Sequence, residues 1–568
     1  MSLYFFLKFF LFKTNILFLL FIVKVILFAL FEMIGIALLV TLISILSGND
    51  KSELILDIFS VVEKYISLDL FNLLNLSLIT LFFYIFKSSY SIWFIKHQQN
   101  IIAKGHKDFC NGIFENYASG DSRLTRKFNS YEIIRNVNFI SDKVFGEYFV
   151  SIFNLITEIT VVFVLISLFA YVDLSLALIL IVIGYLILKV LVKFVFNKSK
   201  IIGEKSVNAY GELVRIVNIT IGLFKELRLL KLINIFRKDF NKSVEKYVEA
   251  KKYDNYISRL PVILVELFVV TIVVFMIIFQ FDSDQKFINA IPKLSLFAIG
   301  IVRLSPSINR ISTNIHTIKF YTPSVMNLIF DFHFLKKANE NIGYSKKIDF
   351  KKSIRFDKVT LNVFDESILK NISFTINKGN KALIYGESGS GKSSILNILS
   401  GFTKFNDGNI FIDGAATQKQ RIELSNKISL VSQESFLIDN ESIYYNICKK
   451  NKKNSHKDNK FNEIIKICDL DRFIKNITNK EHGIISENGK NISGGEKQRI
   501  CIARSLYNDF DILLMDEPFS SIDKNSRNKI FKSILDKFKN KTIILVSHQK
   551  INDKFIDKFI KINNGRSI

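Results

Sequence analysis

The chain has 568 residues, too many for one ordinary hydrophobic core, and two large units are the simplest division. Hydrophobic residues make up 49% and charged residues 23%, with a mean hydropathy of +0.25, which argues against a wholly soluble protein. The net charge of +25 does not indicate nucleic-acid binding, because the lysines crowd beside apolar spans and over the C-terminal half. The four cysteines have no metal-ligand spacing and are predicted to be free thiols.

The N-terminal half contains six apolar segments that are long enough to cross a bilayer. A hydrocarbon core of about 30 Å needs about 20 helical residues. The first segment is longer than the apolar core of a signal peptide and has no small-residue cleavage site, so we exclude a cleaved signal. The predicted spans are Ile16–Leu46, Leu73–Phe94, Tyr148–Ala170, Leu174–Phe196, Pro261–Phe281 and Ala290–Ile311.

The charges of the loops predict the orientation of these spans. Lysine and arginine crowd the connections after spans two and four, whereas the segment after span one is mainly acidic. Because positive loops stay in the cytosol, both termini are predicted to be cytosolic. We expect the inner loops to be helical extensions with crossing helices near Asn111–Ala118 and Ile221–Leu230. Outside, Glu53–Ile66 is predicted as an amphipathic helix, either on the membrane surface or packed as a loop helix.

Several ionisable residues lie inside the predicted spans. Each costs at least ~2.5–3.5 kcal/mol at a bilayer centre, so a lipid-facing position is disfavoured. For Lys24 and Lys87, snorkelling toward the membrane surface and an inward-facing position are both open. The full set is Lys24, Glu32, Lys87, Glu158, Glu266 and Arg303.

Arg303 is the strongest candidate for a functional role inside the spans. It lies beside Pro306, which frees a backbone carbonyl in the same helix. An unpaired cation inside a membrane span needs an anion or a water-filled cavity. We predict Arg303 as a ligand of an anionic, amphiphilic substrate, with Glu158 and Glu266 either as its structural counter-ions or as further substrate ligands.

The C-terminal half changes pattern to short apolar strands alternating with amphipathic helices, which is typical of an α/β domain with a largely parallel sheet. The predicted fold is therefore an all-α, six-helix transmembrane domain followed by an α/β domain. The sequence at 386–393 reads GxxxxGK[ST], which predicts that the second domain is an α/β P-loop NTPase domain. We place the transmembrane domain at residues 1–330, a polar linker at 331–352, and the α/β domain at 353–568.

A GxxxxGK[ST] sequence follows the apolar stretch Lys381–Tyr385 and precedes a helical pattern. In such a loop, glycines turn successive backbone N–H groups toward phosphate oxygens at a helix N-terminus. Lys392 is expected to reach the β- and γ-phosphates of ATP, and the Ser393 hydroxyl to bind Mg²⁺. The predicted phosphate-binding residues are Gly386, Glu387, Ser388, Gly389, Ser390, Gly391, Lys392, Ser393 and Ser394.

Three later strands end in polar residues suited to phosphate chemistry. Gln433 ends one strand, and its side-chain oxygen is predicted to meet Mg²⁺ or the attacking water. Asp516 and Glu517 end the next, where Asp516 would hold Mg²⁺ through water and Glu517 would polarise the attacking water. His548 ends the last and is predicted to contact the γ-phosphate.

The run Ile492-Ser493-Gly494-Gly495-Glu496-Lys497-Gln498-Arg499 is a second glycine-rich turn that opens a helix. This ordered set of motifs resembles the nucleotide-binding domain of the ATP-binding cassette (ABC) superfamily. The resemblance implies that ATP binds between the phosphate loop of one subunit and Ser493, Gly494 and Gly495 of another, and that Phe364 stacks on adenine. It implies a homodimer, or a pair with a related half-transporter.

Six spans followed by one cassette resemble an ABC exporter half-transporter of a bacterial cytoplasmic membrane, with the cassette in the cytosol. Runs in several spans, including Phe31-Glu32 and Arg303–Arg310, are similar to lipid-linked oligosaccharide flippases of bacterial N-glycosylation. The resemblance implies ATP-driven movement of an amphiphilic lipid-linked substrate from the inner to the outer leaflet. The alternatives are export of a peptide or another lipid, and a regulatory membrane module that senses ATP without transport.

Overall fold

A computed structural model describes residues 15–46, 73–118, 130–172, isolated positions between 174 and 189, and 197–280, 284–340, 350–363, 366–416, 428–450, 458–477, 482–548 and 554–568. The chain forms two compact units, one drawn mainly from residues before 338 and one mainly from residues after it. We describe each unit by itself. The predicted span at 174–196, apart from isolated positions, and the predicted outer helix at Glu53–Ile66 lie outside the described residues.

The first unit is helical throughout its described part. Its α-helices are α1 (Asn15–Leu46), α2 (Leu73–Ala118), α3 (Ser130–Ile134), α4 (Ser141–Lys143), α5 (Val150–Val172), α6 (Asn197–Gly222), α7 (Phe224–Leu229), α8 (Ile233–Gln280) and α9 (Asp284–Glu340). Two π-helical segments, Arg135–Ile140 and Val144–Phe149, join α3, α4 and α5 into one helical stretch. Within the described residues, three segments are long and apolar enough to cross a membrane: Ile16–Ile43, Leu73–Ala118 and Glu132–Tyr171.

The helices extend further than the sequence analysis predicted. A separate crossing helix near Asn111–Ala118 is wrong, because these residues form the last turns of α2. Ile102, Phe109 and Ile113 are buried on one side of this extension, and their packing continues the helix without a break. The second predicted crossing helix is present as α7. Helix α9 runs on to Glu340, so the first ten residues of the predicted linker are helical.

Aromatic side chains fill the contacts between α1, α2 and the stretch leading into α5. Phe21 of α1 packs on Phe94 of α2 and on Phe153 of α5, with ring centroids 6.0 and 4.8 Å apart. Leu328 and Phe332 of α9 belong to the same buried cluster. Since flat aromatic rings bury a large apolar area, this cluster joins four helices around one core.

A buried polar chain joins α6, α8 and α9. Ser199 lies 2.6 Å from His316 Nδ1, and His316 Nε2 lies 2.9 Å from Asp254 Oδ1. Burial acts to raise the pKa of Asp254, but hydrogen bonds from His316 and Lys251 outweigh it and hold that pKa below its ordinary value. Ser199 is 0% exposed, so this Ser–His–Asp arrangement offers no nucleophile to a substrate and acts as a structural link.

The described part of the second unit contains two sheets and six α-helices. The antiparallel sheet has the order β2-β1-β4-β5, and the other sheet has the order β10-β9-β3-β8-β7-β6 with parallel pairing from β9 to β6. The strands are β1 (Ser353–Val363), β2 (Glu366–Asn377), β3 (Lys381–Tyr385), β4 (Asp407–Ile412), β5 (Ala415–Ala416), β6 (Ile428–Val431), β7 (Ile512–Asp516), β8 (Thr542–Ser547), β9 (Lys558–Asn563) and β10 (Arg566–Ser567). The helices are α10 (Lys392–Leu399), α11 (Ile443–Cys448), α12 (Asn459–Ile467), α13 (Asp471–Asn476), α14 (Gly494–Tyr507) and α15 (Lys524–Lys537).

The parallel strands β3, β7 and β8 are buried on both faces. Along β7, Leu513 and Met515 face one apolar cluster, whereas Ile512 and Leu514 face the other. The first cluster includes residues of α11, α12, α14 and α15, and the second includes α10 and the antiparallel sheet. The side-chain period of two sends successive residues to opposite faces, which explains why these strands read as continuous apolar runs.

Replacing Gly203 by alanine is expected to destabilise the first unit. A Cβ at Gly203 of α6 would lie 1.9 Å from the carbonyl oxygen of Phe320 on α9, so the two helices would have to separate. Helix propensity alone would favour alanine by roughly 1 kcal/mol, but overpacking costs about 1–3 kcal/mol. Gly203→Ala should therefore lower the apparent unfolding temperature in detergent. Gly222→Ala is the control because no atom lies within 4 Å of its Cβ; equal stability of the two variants would contradict the close contact.

Candidate functional site

The carboxyl ends of four parallel strands bring the predicted catalytic residues to one edge of the sheet. The phosphate loop follows β3, His548 follows β8, Glu517 follows β7, and Gln433 lies two residues after β6. Because β3, β8, β7 and β6 are consecutive neighbours in the sheet, these groups lie side by side. This is the edge where open α/β sheets bind their ligands.

The phosphate loop turns sharply from β3 into α10. Gly391, the residue before α10, has a φ of +98°, and a Cβ there would lie 2.5 Å from Leu369 Cδ2, so only glycine fits. The Lys392 ammonium donates hydrogen bonds to the carbonyl oxygens of Gly386 (3.0 Å) and Glu387 (2.6 Å). Burial lowers the pKa of Lys392, while the carboxylates of Glu517 and Asp516 act in the opposite direction. Ser388 and Gly389 lie in the same turn, and Ser393 and Ser394 lie in the first turn of α10.

Two buried oxygens of this site lack a hydrogen-bond partner: Ser390 Oγ in the loop and Asp516 Oδ1 at the end of β7. Buried polar atoms are normally paired, so both atoms point to a ligand. Burial raises the pKa of Asp516, although a hydrogen bond with Ser393 acts to lower it. Within the described part of the chain, no group of three or more His, Cys, Asp or Glu side chains gathers as a ready-made metal site. A carboxylate beside a hydroxyl nevertheless fits Mg²⁺, which usually binds one or two protein oxygens together with substrate phosphates.

Glu517 lies at the centre of the predicted catalytic groups and has a strained backbone. Its φ is +47°, which is uncommon for a residue other than glycine, and its N–H donates to the carbonyl oxygen of Val546. Its Oε1 lies 2.7 Å from His548 Nε2, and its Oε2 accepts a hydrogen bond of 3.4 Å from Gln433 Nε2. The side chain is only 12% exposed. Strain of this kind collects at functional sites, where the surrounding structure holds it.

Gln498 is a residue of the site to which the sequence analysis assigned no role. It is buried on α14, where its Nε2 donates to the carbonyl oxygen of Glu517 (3.3 Å) and to Ser520 Oγ (3.0 Å). Its Oε1 accepts a hydrogen bond from the Ser521 N–H at 2.8 Å. Gln498 thus connects α14 to the backbone that carries Glu517. The glycine-rich run contained it, but only the fold shows what it contacts.

The second glycine-rich turn is held by a capping box at the start of α14. Glu496 Oε2 accepts hydrogen bonds from the N–H and the hydroxyl of Ser493, at 2.8 and 2.7 Å, and Ser493 Oγ accepts from the Glu496 N–H. Gly494 and Gly495 lie beside Ser521. The hydrogen bonds of Ser493 thus stay within its own turn, and a helix N-terminus of this kind suits an anion. Phe364, the predicted adenine contact, lies outside the described residues.

In the first unit, the ionisable residues pair differently from the prediction. Arg303 is neutralised by Glu32 rather than by Glu158 or Glu266, with Arg303 Nε 2.9 Å from Glu32 Oε2. Lys87 Nζ lies 3.0 Å from the same oxygen, so two cations share one carboxylate. The structural counter-ion roles proposed for Glu158 and Glu266 are therefore wrong for Arg303. The counter-ion comes from α1 because helices distant in sequence meet there, which the order of the spans alone does not specify.

Glu158 and Glu266 lie in separate surroundings. Glu158 Oε1 forms an ion pair with Arg310, with Nε 3.1 Å away, while among the described residues its buried Oε2 has no hydrogen-bond partner. Glu266 is exposed on α8. Of the three predicted substrate residues, Arg303 and Glu158 each pair with a side chain of opposite charge, whereas Glu266 is exposed.

Comparison with known proteins places these observations in a family. The family model for the ABC transporter matches residues 369–520. A phosphonates import ATP-binding protein of Fusobacterium nucleatum is 40% identical over 231 residues, which are 37% of this chain and 89% of that protein. The chain belongs to the ABC transporter superfamily. Its second unit has the fold of an ATP-binding cassette, and the predicted phosphate loop at 386–393 and the predicted signature turn at Ser493–Gly495 both lie within the matched residues.

Nearly the whole chain is similar in fold to a solved structure. The structure of a bacterial Atm1-family ABC exporter with ATP bound matches with a TM-score of 0.72 at 18% identity, over 98% of this chain and 95% of that chain. It confirms the predicted fold class, a helical transmembrane domain followed by an α/β cassette. An ATP-dependent lipid A-core flippase of Pasteurella multocida is 32% identical over 235 residues, 40% of each chain. This chain spans less than half the length of that flippase and of most other curated relatives it matches.

Replacing Asp516 by asparagine is expected to remove the stabilisation that Mg²⁺ adds to ATP. Burial raises the Asp516 pKa, so the ionised form is unfavourable without a cation and protonation occurs at higher pH than for an ordinary aspartate. Wild-type unfolding temperature should rise more with ATP and Mg²⁺ than with ATP and EDTA, and this increment should shrink as the pH is lowered and Asp516 becomes protonated. Asp516→Asn should lose the increment without loss of stability in EDTA. Asp536→Asn, on the exposed side of α15, is the control; an unchanged increment in Asp516→Asn would exclude Asp516 as a ligand.

Proposed function

We propose that the chain is an ATP-hydrolysing exporter subunit that flips an amphiphilic, anionic substrate from the inner to the outer leaflet of a bacterial cytoplasmic membrane. The observation that carries the ATPase part is the convergence of Lys392, Asp516, Glu517 and His548 at one sheet edge. A cation for the phosphates, a carboxylate for Mg²⁺ and a carboxylate for the attacking water lie together there, with complementary charge. A membrane module that only senses ATP would not need the strained and hydrogen-bonded Glu517.

In this proposal each polar group has a distinct task. Lys392 leaves its carbonyl partners to bind the β- and γ-phosphates, and Ser393, Gln433 and Asp516 hold Mg²⁺, which would neutralise charge on the transferred phosphate. Glu517 polarises the attacking water, and His548 orients the Glu517 carboxylate and contacts the γ-phosphate. The hydrogen bond from Gln433 fixes the other Glu517 oxygen, so that the carboxylate is preorganised before ATP arrives.

The complete site is proposed to need two chains. The signature turn of this chain has its own capping network, while the orphaned oxygens lie at Ser390 and Asp516. A second copy would place its Ser493, Gly494 and Gly495 against the γ-phosphate bound by Lys392, which gives a homodimer two equal sites. Glu517 and His548 are both present, so neither site would be degenerate. A related half-transporter is the other partner that the motifs allow.

Replacing Glu517 by glutamine is expected to reduce ATP hydrolysis by at least about 10²-fold, the range for loss of a general base. Glutamine keeps an oxygen for His548, so ATP binding and folding should persist, and ATP should trap a closed dimer. Lys392→Ala should instead weaken ATP binding itself, because the cation for the phosphates is gone. Hydrolysis and binding of labelled ATP by purified protein separate the two effects.

The control for this test is Glu434→Gln, an exposed carboxylate next to Gln433. It changes the same charge without touching Glu517. A Glu517→Gln variant that hydrolyses ATP at the wild-type rate would overturn the catalytic assignment. If a purely monomeric sample hydrolyses ATP at a rate per chain that does not depend on protein concentration, the site built from two chains would be overturned.

The substrate class follows from the charge inside the first unit. Lys87 and Arg303 together carry two positive charges against the carboxylate of Glu32, so this group of three side chains has an excess of one positive charge. Such an excess is expensive in an apolar medium and favours an anionic ligand. A diphosphate-linked lipid oligosaccharide combines that anion with lipid tails. The similarity to lipid-linked oligosaccharide flippases in span six, and the cassette similarity to lipid A-core flippases, support this class.

Replacing Arg303 by alanine is expected to abolish flipping of lipid-linked oligosaccharide in proteoliposomes while most basal ATPase activity remains. Glu32 keeps Lys87 as its partner at 3.0 Å, so the buried carboxylate stays paired and the fold survives. Arg303→Lys should recover part of the flipping, because lysine keeps the charge and loses the bidentate fork. Normal flipping by Arg303→Ala would exclude substrate contact, and parallel loss of ATPase activity and fold would indicate a structural role.

A further inference from the structure

Lys24 is a half-buried cation of α1 that faces α2 rather than solvent. Its Nζ lies 2.9 Å from His97 Nε2 and 5.1 Å from the centre of the Trp93 ring. An ammonium group has donors only, so the imidazole nitrogen must accept and is unprotonated. Within the described part of the chain, Lys24 forms no ion pair with a carboxylate.

Lys24 and Lys87 lie on the same pair of helices but differ in whether a carboxylate neutralises them. Lys87 is neutralised by Glu32 at 3.0 Å, whereas Lys24 has only a neutral ring and an aromatic face as partners. Lys24 and Glu32 are eight residues apart on α1, or about 12 Å at 1.5 Å per residue. The seam between α1 and α2 therefore holds one compensated cation and, about 12 Å nearer the start of α1, one without a negative partner.

Aromatic side chains hold this cation in a fixed place. Trp93 stacks on His97 with an interplanar angle of 8°, and the Tyr90 hydroxyl donates to the Lys24 carbonyl oxygen at 3.0 Å. Trp93 itself is 48% exposed, and Ile92 and Ile95 beside it are exposed as well. A positioned cation thus adjoins an open apolar surface, which is the combination that an anionic amphiphile requires.

We infer that Lys24, His97 and Trp93 form a binding site for the phosphate or diphosphate headgroup of an amphiphile at the inner-leaflet end of the α1–α2 seam. The inference rests on the proposed function and its predicted orientation, and adds to it a first docking point about 12 Å before the Glu32 cluster. The phosphate supplies the missing negative charge to Lys24, and His97 gains an acceptor for a second hydrogen bond. The Trp93 ring and the isoleucines contact the first carbons of the tail.

The test uses the full chain in phosphatidylcholine nanodiscs without ATP. Trp93 is the only tryptophan, so its fluorescence reports on this site alone. Farnesyl diphosphate should change the fluorescence at concentrations at least about tenfold lower than inorganic diphosphate or farnesol, since one headgroup bond to a charged donor is worth about tenfold or more in affinity. Lys24→Gln should weaken farnesyl diphosphate binding by a similar factor, and Lys24→Arg should retain it.

Lys96→Gln is the matched control, because Lys96 carries the same charge next to His97 and is exposed. Equal weakening by Lys96→Gln, or equal binding of inorganic diphosphate, would overturn the inference. If Lys24→Gln does not fold, binding of radiolabelled farnesyl diphosphate to His97→Gln is measured instead. Unchanged binding by His97→Gln would also overturn the inference. If the wild-type protein binds farnesyl diphosphate at this site but does not flip the lipid substrate, only the proposed transport is contradicted. If folded Lys24→Gln binds farnesyl diphosphate normally and the protein still flips its substrate, only this binding site is contradicted.

Discussion

The parallel pairing of β3, β8, β7 and β6 is the constraint on which the chemistry of the cassette depends. Leu383 aligns with Leu545, and Leu513 aligns with Ile543, so the strands end at nearly the same level. Each strand is apolar on both faces, and a shift of register by one residue would exchange the two faces. The same burial that drives the sheet together therefore fixes where its polar ends lie. The positions of the polar residues at the strand ends therefore follow from the packing of the apolar side chains.

The first unit obeys a different constraint, since its charges must find partners where water is scarce. Glu32 joins α1 to α2 and α9 through Lys87 and Arg303, and Glu158 joins α5 to α9 through Arg310. Removing one member of such a pair leaves a charge whose desolvation is not offset. The pairs consequently tie together helices that are far apart in sequence. They also concentrate positive charge at the positions from which an anion would be recognised.

The sequence predicted features that depend on local pattern. The phosphate loop, the pair Asp516-Glu517 and His548 were each predicted at the end of a short apolar strand, and the structure has β3, β7 and β8 there. Their roles toward ATP stay predictions. The pairing of Arg303 with Glu32 was missed, since 271 residues separate the two and no local pattern records the distance. Gln498 was missed for the same reason, as its partners belong to the turn after β7. The helical extension after span two was predicted, but the crossing helix near Asn111–Ala118 was wrong, because the packing that continues α2 to Ala118 is not visible in the local pattern.

The two π-helical segments before α5 set the direction in which that helix faces. A π turn takes in one residue more than an α turn, so each segment shifts the phase of everything that follows by about 100°, the angle of one residue. Glu158 lies on α5 after both segments and pairs with Arg310 of α9. Tightening either segment into regular α-helix would rotate α5 and turn Glu158 in another direction. A change of hydrogen-bond register between Arg135 and Phe149 would therefore become a turn of the whole helix that follows.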